Sequence, residues 1–306
     1  MAKKTDNKRY LSRKEFLQAS TGLLGLGLLG TKAFSASESK IPKVKLGKTG
    51  IKVTPLCYGV SRSQEPSLVR ASIDNGINFF DTGRQYANGN NEIMLGKEIK
   101  DVRDKVVIQS KMKIYVSPDK DDITSKECSE KIKKLMEGNL NESLKALQTD
   151  YIDIMLYHLA AYPELLFHDT ILEFFYQAKR SGKIKAFGFS SHNNNLDVIE
   201  AAAKNPVYEV VMVPYNHKGS YIHMLSGSFN EWDQKRLETS LKTLHKNDVG
   251  VIAMKTCSGG PYAFNDNDKP SFQNSVNWAL KKDFIDCAAV AMGNFAQIDE
   301  NILVLK

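Results

Sequence analysis

Ile77-Asn78-Phe79-Phe80-Asp81-Thr82-Gly83-Arg84-Gln85-Tyr86 is a short apolar run that ends abruptly in an acid. The run reads as a buried strand, and Asp81 stands where that strand gives out. Tyr86 follows across a short loop. An aspartate at a strand's C-terminal end, with a phenol close behind it, is the arrangement expected of an active site on a parallel α/β sheet or barrel. Taken alone, the pair is equally compatible with a turn-capping acid and an ordinary half-buried tyrosine, and the rest of the chain has to decide.

Outward from this stretch, apolar runs alternate with amphipathic ones. The strand-like runs are Pro55–Val60, Asn78–Asp81, Lys105–Lys111, Tyr151–His158, Ile184–Ser190, Tyr208–Pro214, Val249–Lys255 and Asp286–Met292. Helix-like segments fall between them, among them Ser67–Asn75, Asn91–Lys100, Glu127–Leu147, Leu196–Lys204 and Gln234–Lys246. Continuous βα alternation argues for parallel strands joined by right-handed crossovers. Eight units in this length fit an α/β fold of the closed (β/α)8 TIM barrel type. An open doubly wound sheet would want a Gly-rich turn after its first strand, and Gly59-Val60-Ser61-Arg62-Ser63 is not one. Ahead of the barrel, Val44 to Thr54 alternates around Lys48-Thr49-Gly50 and reads as an N-terminal β-hairpin.

Two segments are expected: residues 1–36, and a single barrel domain over 37–306. The first 36 residues carry seven Lys or Arg and two acids, which is +5 of the chain's net +7. The body is therefore nearly neutral, and the high pI gives no argument for nucleic acid as a partner. A basic start, Ser12-Arg13-Lys14-Glu15-Phe16-Leu17-Gln18, a Gly- and Leu-rich run to Gly30 and the small residues of Ala33-Phe34-Ser35-Ala36 together read as an export signal. The Ser-Arg-Lys-Glu-Phe-Leu block resembles the twin-arginine signal peptide, with Lys14 in place of the second arginine. Twin-arginine translocation implies export machinery as a partner and a periplasmic or otherwise exported location. A cytoplasmic one follows if the signal does not act. The run is too short and too Gly-rich for a stable membrane span. Cys57, Cys128, Cys257 and Cys287 lie far apart with neither CxxC nor metal-ligand spacing, so no metal site or disulfide framework is expected.

In such a barrel, chemistry belongs at the C-terminal ends of the strands. Those ends supply Asp81 and Tyr86, then Lys111, His158, Ser190 and Ser191, Tyr215 and Asn216, and Lys255. A buried Lys111 is costly alone but is compensated beside Asp81. A phenol beside Lys111 is expected to ionise more readily than its free value of about 10. Such a set can deliver a proton to a carbonyl oxygen: Tyr86 as acid, Lys111 tuning it, Asp81 holding Lys111, His158 orienting the carbonyl. That chemistry lacks a reductant, so a bound hydride donor is implied.

The chain resembles the aldo-keto reductase superfamily from about Val44 to Asn301. The resemblance is carried by Leu46 to Leu56, by Gly76-Ile77-Asn78-Phe79-Phe80-Asp81-Thr82 with Tyr86, by Asn91 to Lys97 and by Val107-Ile108-Gln109-Ser110-Lys111. Glu142 to Ile154 with His158, and Lys183 to Ser190, complete it. The family's Asp/Tyr/Lys/His tetrad matches Asp81, Tyr86, Lys111 and His158. The resemblance implies an oxidoreductase that reduces a small aldehyde or ketone with NADP(H) or NAD(H). It places Ser190 and Ser191 at the nicotinamide carboxamide, with Ser191 where asparagine is usual. Met212 stands for a glutamine, and Met254 for an aromatic. Lys255 reads either as a cofactor contact or as a strand-end lysine paired with an acid, the Ser258-Gly259-Gly260 turn can bring backbone N–H groups to the pyrophosphate, and Gly293, Asn294, Gln297 and Asn301 fall on the adenosine side. Gln297 replaces a frequent arginine, and without that clamp NADPH forgoes a charge-assisted bond of about 1.5–3 kcal/mol.

Asn216 to Trp232 is a long, aromatic-rich connection, read either as a substrate lid that engages Tyr215, Asn216 and Trp232 or as a surface loop held down by its aromatics. A rival of a different class is a barrel that binds nucleotide without turnover, as a sensor or auxiliary subunit.

Overall fold

The computed structural model describes residues 41–192, 195–223 and 226–305. The expected export segment, 1–36, and its boundary with the barrel lie outside the described residues.

Apolar runs of the expected lengths form eight strands: β3 (Leu56–Gly59), β4 (Phe79–Asp81), β5 (Val107–Lys113), β6 (Ile152–His158), β7 (Ile184–Ser190), β8 (Val210–Pro214), β11 (Gly250–Met254) and β12 (Cys287–Val290). They close into a parallel barrel in the order β11-β12-β3-β4-β5-β6-β7-β8, as the alternation predicts. Eight helices lie between or after these strands: α1 (Pro66–Asp74), α2 (Asn90–Ile99), α3 (Lys126–Leu147), α5 (Asp169–Arg180), α6 (Asn195–Lys204), α7 (Gln234–Lys246), α8 (Phe272–Leu280) and α9 (Phe295–Ile302). A short extra helix, α4 (Pro163–Leu166), precedes α5. The caps are chemical. Ser125, Asp233, Ser271 and Asn294 each accept a backbone N–H of the helix they open.

Period-2 alternation splits the strands' side chains into two apolar layers. Cys57, Phe79, Val107, Ile154, Leu156, Ala186, Val210, Met212, Ile252, Met254 and Cys287 fill the barrel. Their neighbours on the outer face, such as Phe80, Ile108, Met155, Phe187 and Val211, pack under the helices. The predicted hairpin is present as β1 (Val44–Lys45) against β2 (Lys52–Val53). It sends Leu46 and Val53 into the interior layer and so plugs the N-terminal end. Asn78 ties it to β4: its Oδ1 accepts the Thr54 N–H at 2.7 Å, and its Nδ2 donates to Lys52 O at 3.0 Å.

The Asn216–Trp232 connection contains a small antiparallel hairpin, β9 (Ser220–Ile222) with β10 (Phe229–Glu231), which the aromatic composition concealed. Cys57, Cys128 and Cys287 are buried and Cys257 half-buried, all as free thiols. No described helix is long and apolar enough to cross a membrane.

Candidate active site

β4 delivers Asp81 to the mouth of the barrel, and the next strand delivers its partner. Lys111 Nζ donates to Asp81 Oδ1 at 2.6 Å and to the Thr82 carbonyl at 2.7 Å. Both side chains are almost wholly buried. The Lys111 ammonium lies 4.8 Å from the centroid of the Tyr86 ring. His158, the last residue of β6, meets Tyr86 edge-on, with ring centroids 5.8 Å apart at 83°. The four residues singled out in sequence thus converge. One detail differs: β5 continues to Lys113, so Lys111 lies two residues inside the strand rather than closing it.

The loop that aims Tyr86 is pinned from three directions. Thr82 Oγ1 donates to Asn91 Oδ1 at 2.6 Å, and Asn91 Nδ2 donates to the Val60 carbonyl at 3.0 Å. The Arg84 N–H donates to the Lys111 carbonyl at 3.0 Å. The Arg84 guanidinium pairs with buried Glu92 at 2.7 Å, and Glu92 also accepts from Ser110 Oγ at 2.6 Å. Arg84, whose charge has no evident role in sequence, is therefore a loop anchor.

The electrostatics correct one expectation. Burial raises the Tyr86 phenol, and Lys111 lowers it only in part, so it stays above its ordinary value. The balance favours desolvation because the phenolate would lose more hydration than one lysine, already shared with Asp81, restores. Burial alone would push Lys111 down, but Asp81 and Tyr86 hold its ammonium above the usual lysine value. Burial, then Lys111, then His192 and Lys113 drive His158 well below the ordinary histidine value, so its ring is neutral. His158 Nδ1 faces the acceptor Gln85 Oε1 at 3.3 Å, which asks Nδ1 to carry the proton. The set can therefore present a protonated phenol in a dry, positively biased corner, which suits proton donation to a carbonyl oxygen.

A cleft of about 320 Å³ runs from Asp81 and Tyr86 toward the ends of β11 and β12, along Arg62, His192, Met212, Met254, Lys255, Ser258 and Ala291. Among the expected cofactor contacts, Met212, Met254, Lys255 and Ser258 line it. Ser190 is buried at the end of β7, and its Oγ has no hydrogen-bond partner among the described residues. Ser191 is buried beside it, its N–H donating to the Met212 carbonyl at 3.1 Å. An orphaned hydroxyl next to a methionine-floored cleft fits a polar amide group that is still to be bound. Lys255 adopts a left-handed backbone, and its ammonium lies 4.5 Å from the Tyr221 ring centroid.

Four expected contacts are hydrogen-bonded to one another. Gly293 N–H donates to Gln297 Oε1 at 2.7 Å, Asn294 Oδ1 accepts the Gln297 N–H at 2.9 Å, and Asn301 Nδ2 donates to the Gln297 carbonyl at 2.7 Å. Gly293, Asn294 and Gln297 build the exposed start of α9, and Asn301 lies buried near its end.

The expected substrate residues need correction. Tyr215 faces the helix layer: it is fully buried, donates to Glu238 Oε1 at 2.7 Å and stacks on Trp278 at 5.1 Å. It follows β8 with the outward phase of Val211 and Val213. Asn216 is spent on structure, donating to the Ser220 and Lys255 carbonyls and accepting from Lys218 N–H. Trp232 donates to Gln234 at 2.7 Å and is half-buried beside Tyr221. Among the described residues of this connection, Tyr221 approaches the mouth through the Lys255 ammonium.

Three site residues escaped the sequence reading. Gln109 Nε2 donates to Asp81 Oδ1 at 2.6 Å and to Met212 Sδ at 3.4 Å. The period-2 face Val107, Gln109, Lys111 would have found it. Arg62 and His192 lie on loops that only folding brings to the cleft. Among the described residues, no group of His, Cys, Asp or Glu comes together as a metal site.

Comparison with known proteins agrees with the barrel fold. A family model described as "Aldo/keto reductase family" matches residues 52–302. An uncharacterized oxidoreductase of Bacillus subtilis is 24% identical over 247 residues, covering 79% of this chain and 73% of that one. A probable voltage-gated potassium channel subunit beta of Arabidopsis thaliana is 33% identical over 124 residues, 37% of this chain and 36% of that protein. Among solved structures, the holo form of an aldo-keto reductase from Bacillus halodurans superposes with TM-score 0.68 at 20% identity, covering 87% of this chain and 91% of that one. An aldo-keto reductase from Klebsiella pneumoniae, solved in complex with NADPH, gives 0.61 at 21%, covering 87% and 89%.

Proposed function

The chain belongs to the aldo/keto reductase family, and we propose that it is an enzyme reducing a small aldehyde or ketone to the alcohol, with NADPH or NADH as hydride donor. The observation that carries this reading is the Lys111 ammonium, held between the Asp81 carboxylate at 2.6 Å and the Tyr86 ring at 4.8 Å.

Tyr86 is the proton donor. Its phenol is raised and so remains protonated through the neutral range. Lys111 stabilises the phenolate left after proton transfer, and Asp81 with Gln109 fixes Lys111 in place. Neutral His158 walls the reacting carbonyl and keeps Tyr86 edge-on without adding a second charge. A nicotinamide cofactor, when bound, supplies the hydride. Ser190 and Ser191 are the residues suited to its carboxamide, and Met212 and Met254 give its ring an apolar floor. Lys255 and Ser258 lie where its phosphates are expected, and the exposed start of α9, around Gly293 and Asn294, where its adenosine end is expected. The relative solved with NADPH supports this use of the fold, and the choice between NADPH and NADH is a measurement.

The test is oxidation of NADPH and of NADH at 340 nm with a panel of neutral and charged aldehydes, run beside Tyr86→Phe. Turnover by the wild type and its loss in the variant support the reading. The stretch shared with channel beta subunits favours one alternative, a nucleotide-binding auxiliary barrel. Tight cofactor binding with equally absent turnover in both proteins selects that alternative.

A further inference from the structure

One charged side chain at the barrel mouth has no task in the mechanism above. β5 turns Val107, Gln109 and Lys111 inward, and alternation puts Lys113, its last residue, on the same face at the rim. Lys113 pairs in register with His158. It is half-buried, and its ammonium lies 4.8 Å from the centroid of the exposed Tyr115 ring. Lys111, two residues earlier on the same face, has a carboxylate at ion-pair distance. Among the described residues Lys113 has none.

Its position separates it from the cofactor side. In the closed order β11-β12-β3-β4-β5-β6-β7-β8, strands β5 and β11 stand opposite each other. The 320 Å³ cleft runs from Tyr86 toward β11 and β12, while Lys113 stands on the other flank of Tyr86 and His158. The acid at the floor of the mouth, Asp81, is already taken by Lys111. A molecule whose carbonyl meets Tyr86 therefore has a cation free to receive its far end. Two residues of strand, about 7 Å, separate the Lys111 and Lys113 backbones, which a few carbon atoms span. One ammonium beside one ring matches a monoanion better than a phosphate, which asks for more donors.

On the reductase reading above, we propose that Lys113 is a specificity residue that selects carbonyl substrates bearing a carboxylate, held at the rim while the carbonyl meets Tyr86. The carboxylate gains a charge-assisted hydrogen bond, and the cationic rim steers it there.

The experiment compares 4-carboxybenzaldehyde with benzaldehyde, and succinic semialdehyde with butanal, on the full chain. The carboxylated member of each pair is expected to have at least tenfold higher kcat/KM, mainly through KM, and the advantage shrinks as salt is raised. Lys113→Gln is expected to lower that ratio about tenfold and Lys113→Arg to keep it. Lys126→Gln, on the exposed start of α3, serves as the surface-charge control. Calorimetric titration of Tyr86→Phe protein with the same aldehydes reads the preference without turnover, so a failure of catalysis and a failure of selection are distinguishable. Equal affinity for charged and neutral aldehydes, or a ratio unmoved by Lys113→Gln, overturns the proposal. So does a stronger preference for a phosphorylated aldehyde.

Discussion

Lys111 is the residue on which the site's electrostatics turn. It is buried with Asp81, and removing one partner of such a pair leaves an unpaired buried charge, a loss of about 3–5 kcal/mol. Asp81→Asn should therefore lower the free energy of urea unfolding by about 3 kcal/mol. Adding Lys111→Met to it should recover part of the loss. Additive losses in the double variant would show that the two groups do not act as a pair. The raised Tyr86 phenol has a kinetic consequence of definite sign. On the proposed reading, in which protonated Tyr86 is the acid in reduction, kcat should be level across the neutral range and fall only as the phenol loses its proton above its ordinary value of about 10. A descending limb centred near neutrality would contradict this assignment. The histidines give a stability signature instead. Burial and the Lys255 charge push His192 down to about 3, and His158 also lies well below its ordinary value. The unfolded chain takes up these protons below about pH 6.5 while the native state resists. Stability is thus fully present above pH 6.5 and declines as pH falls from there toward 3. Thermal midpoints recorded from pH 8 to pH 4 should show that decline, with a shallower slope in His192→Asn.

At the scale of elements, the connection from β4 to α2 is the working part. It carries Tyr86, and the Arg84–Glu92 pair, the Thr82–Asn91 bond and the Arg84 N–H to β5 hold it. Gly83 stands where the family resemblance leads one to expect alanine. A Cβ there would meet the Tyr86 ring at 3.4 Å, an ordinary contact. Gly83→Ala should then fit and raise stability by about 0.4–1 kcal/mol through the unfolded chain, with kcat equal to or above the wild type's. A fall in both would mean that the loop needs glycine's freedom. Arg84→Gln should act the other way, leaving Glu92 buried without its cation. A stability loss of about 2 kcal/mol and at least a tenfold fall in kcat are expected, read by denaturation and by NADPH oxidation. The hairpin β9–β10 belongs to this scale too. Its bland sequence reading, a loop fastened by aromatics, describes Trp232, while Tyr221 lies under the Lys255 ammonium and Asn216 holds the Lys255 carbonyl.

For the whole molecule, one barrel brings side chains from separate strands to a common mouth, and the nearly neutral body leaves the local cations there to set the field. The segment 1–36 is a separate matter. We propose that it directs export, and fusing it to a reporter that is active only outside the cytoplasm should give signal that Arg13→Gln with Lys14→Gln abolishes. A chain cut to 37–306 should reduce the same aldehydes as the full chain.

The sequence by itself determined the barrel, the hairpin plug and the four convergent residues. Each is a local pattern: eight apolar runs with helical intervals, and chemistry at the runs' ends. Tertiary structure alone decided which strand-end residues face inward. Tyr215 and Asn216 stand at the right place in the chain, yet one continues the outward phase of β8 under the helices and the other spends its amide on loop carbonyls. It also decided the protonation of Tyr86, because the balance between burial and a neighbouring ammonium depends on packing that no spacing encodes. Lys113 and Gln109 became visible for the same reason: their meaning lies in which strands stand beside and opposite theirs, and only closing the barrel fixes that.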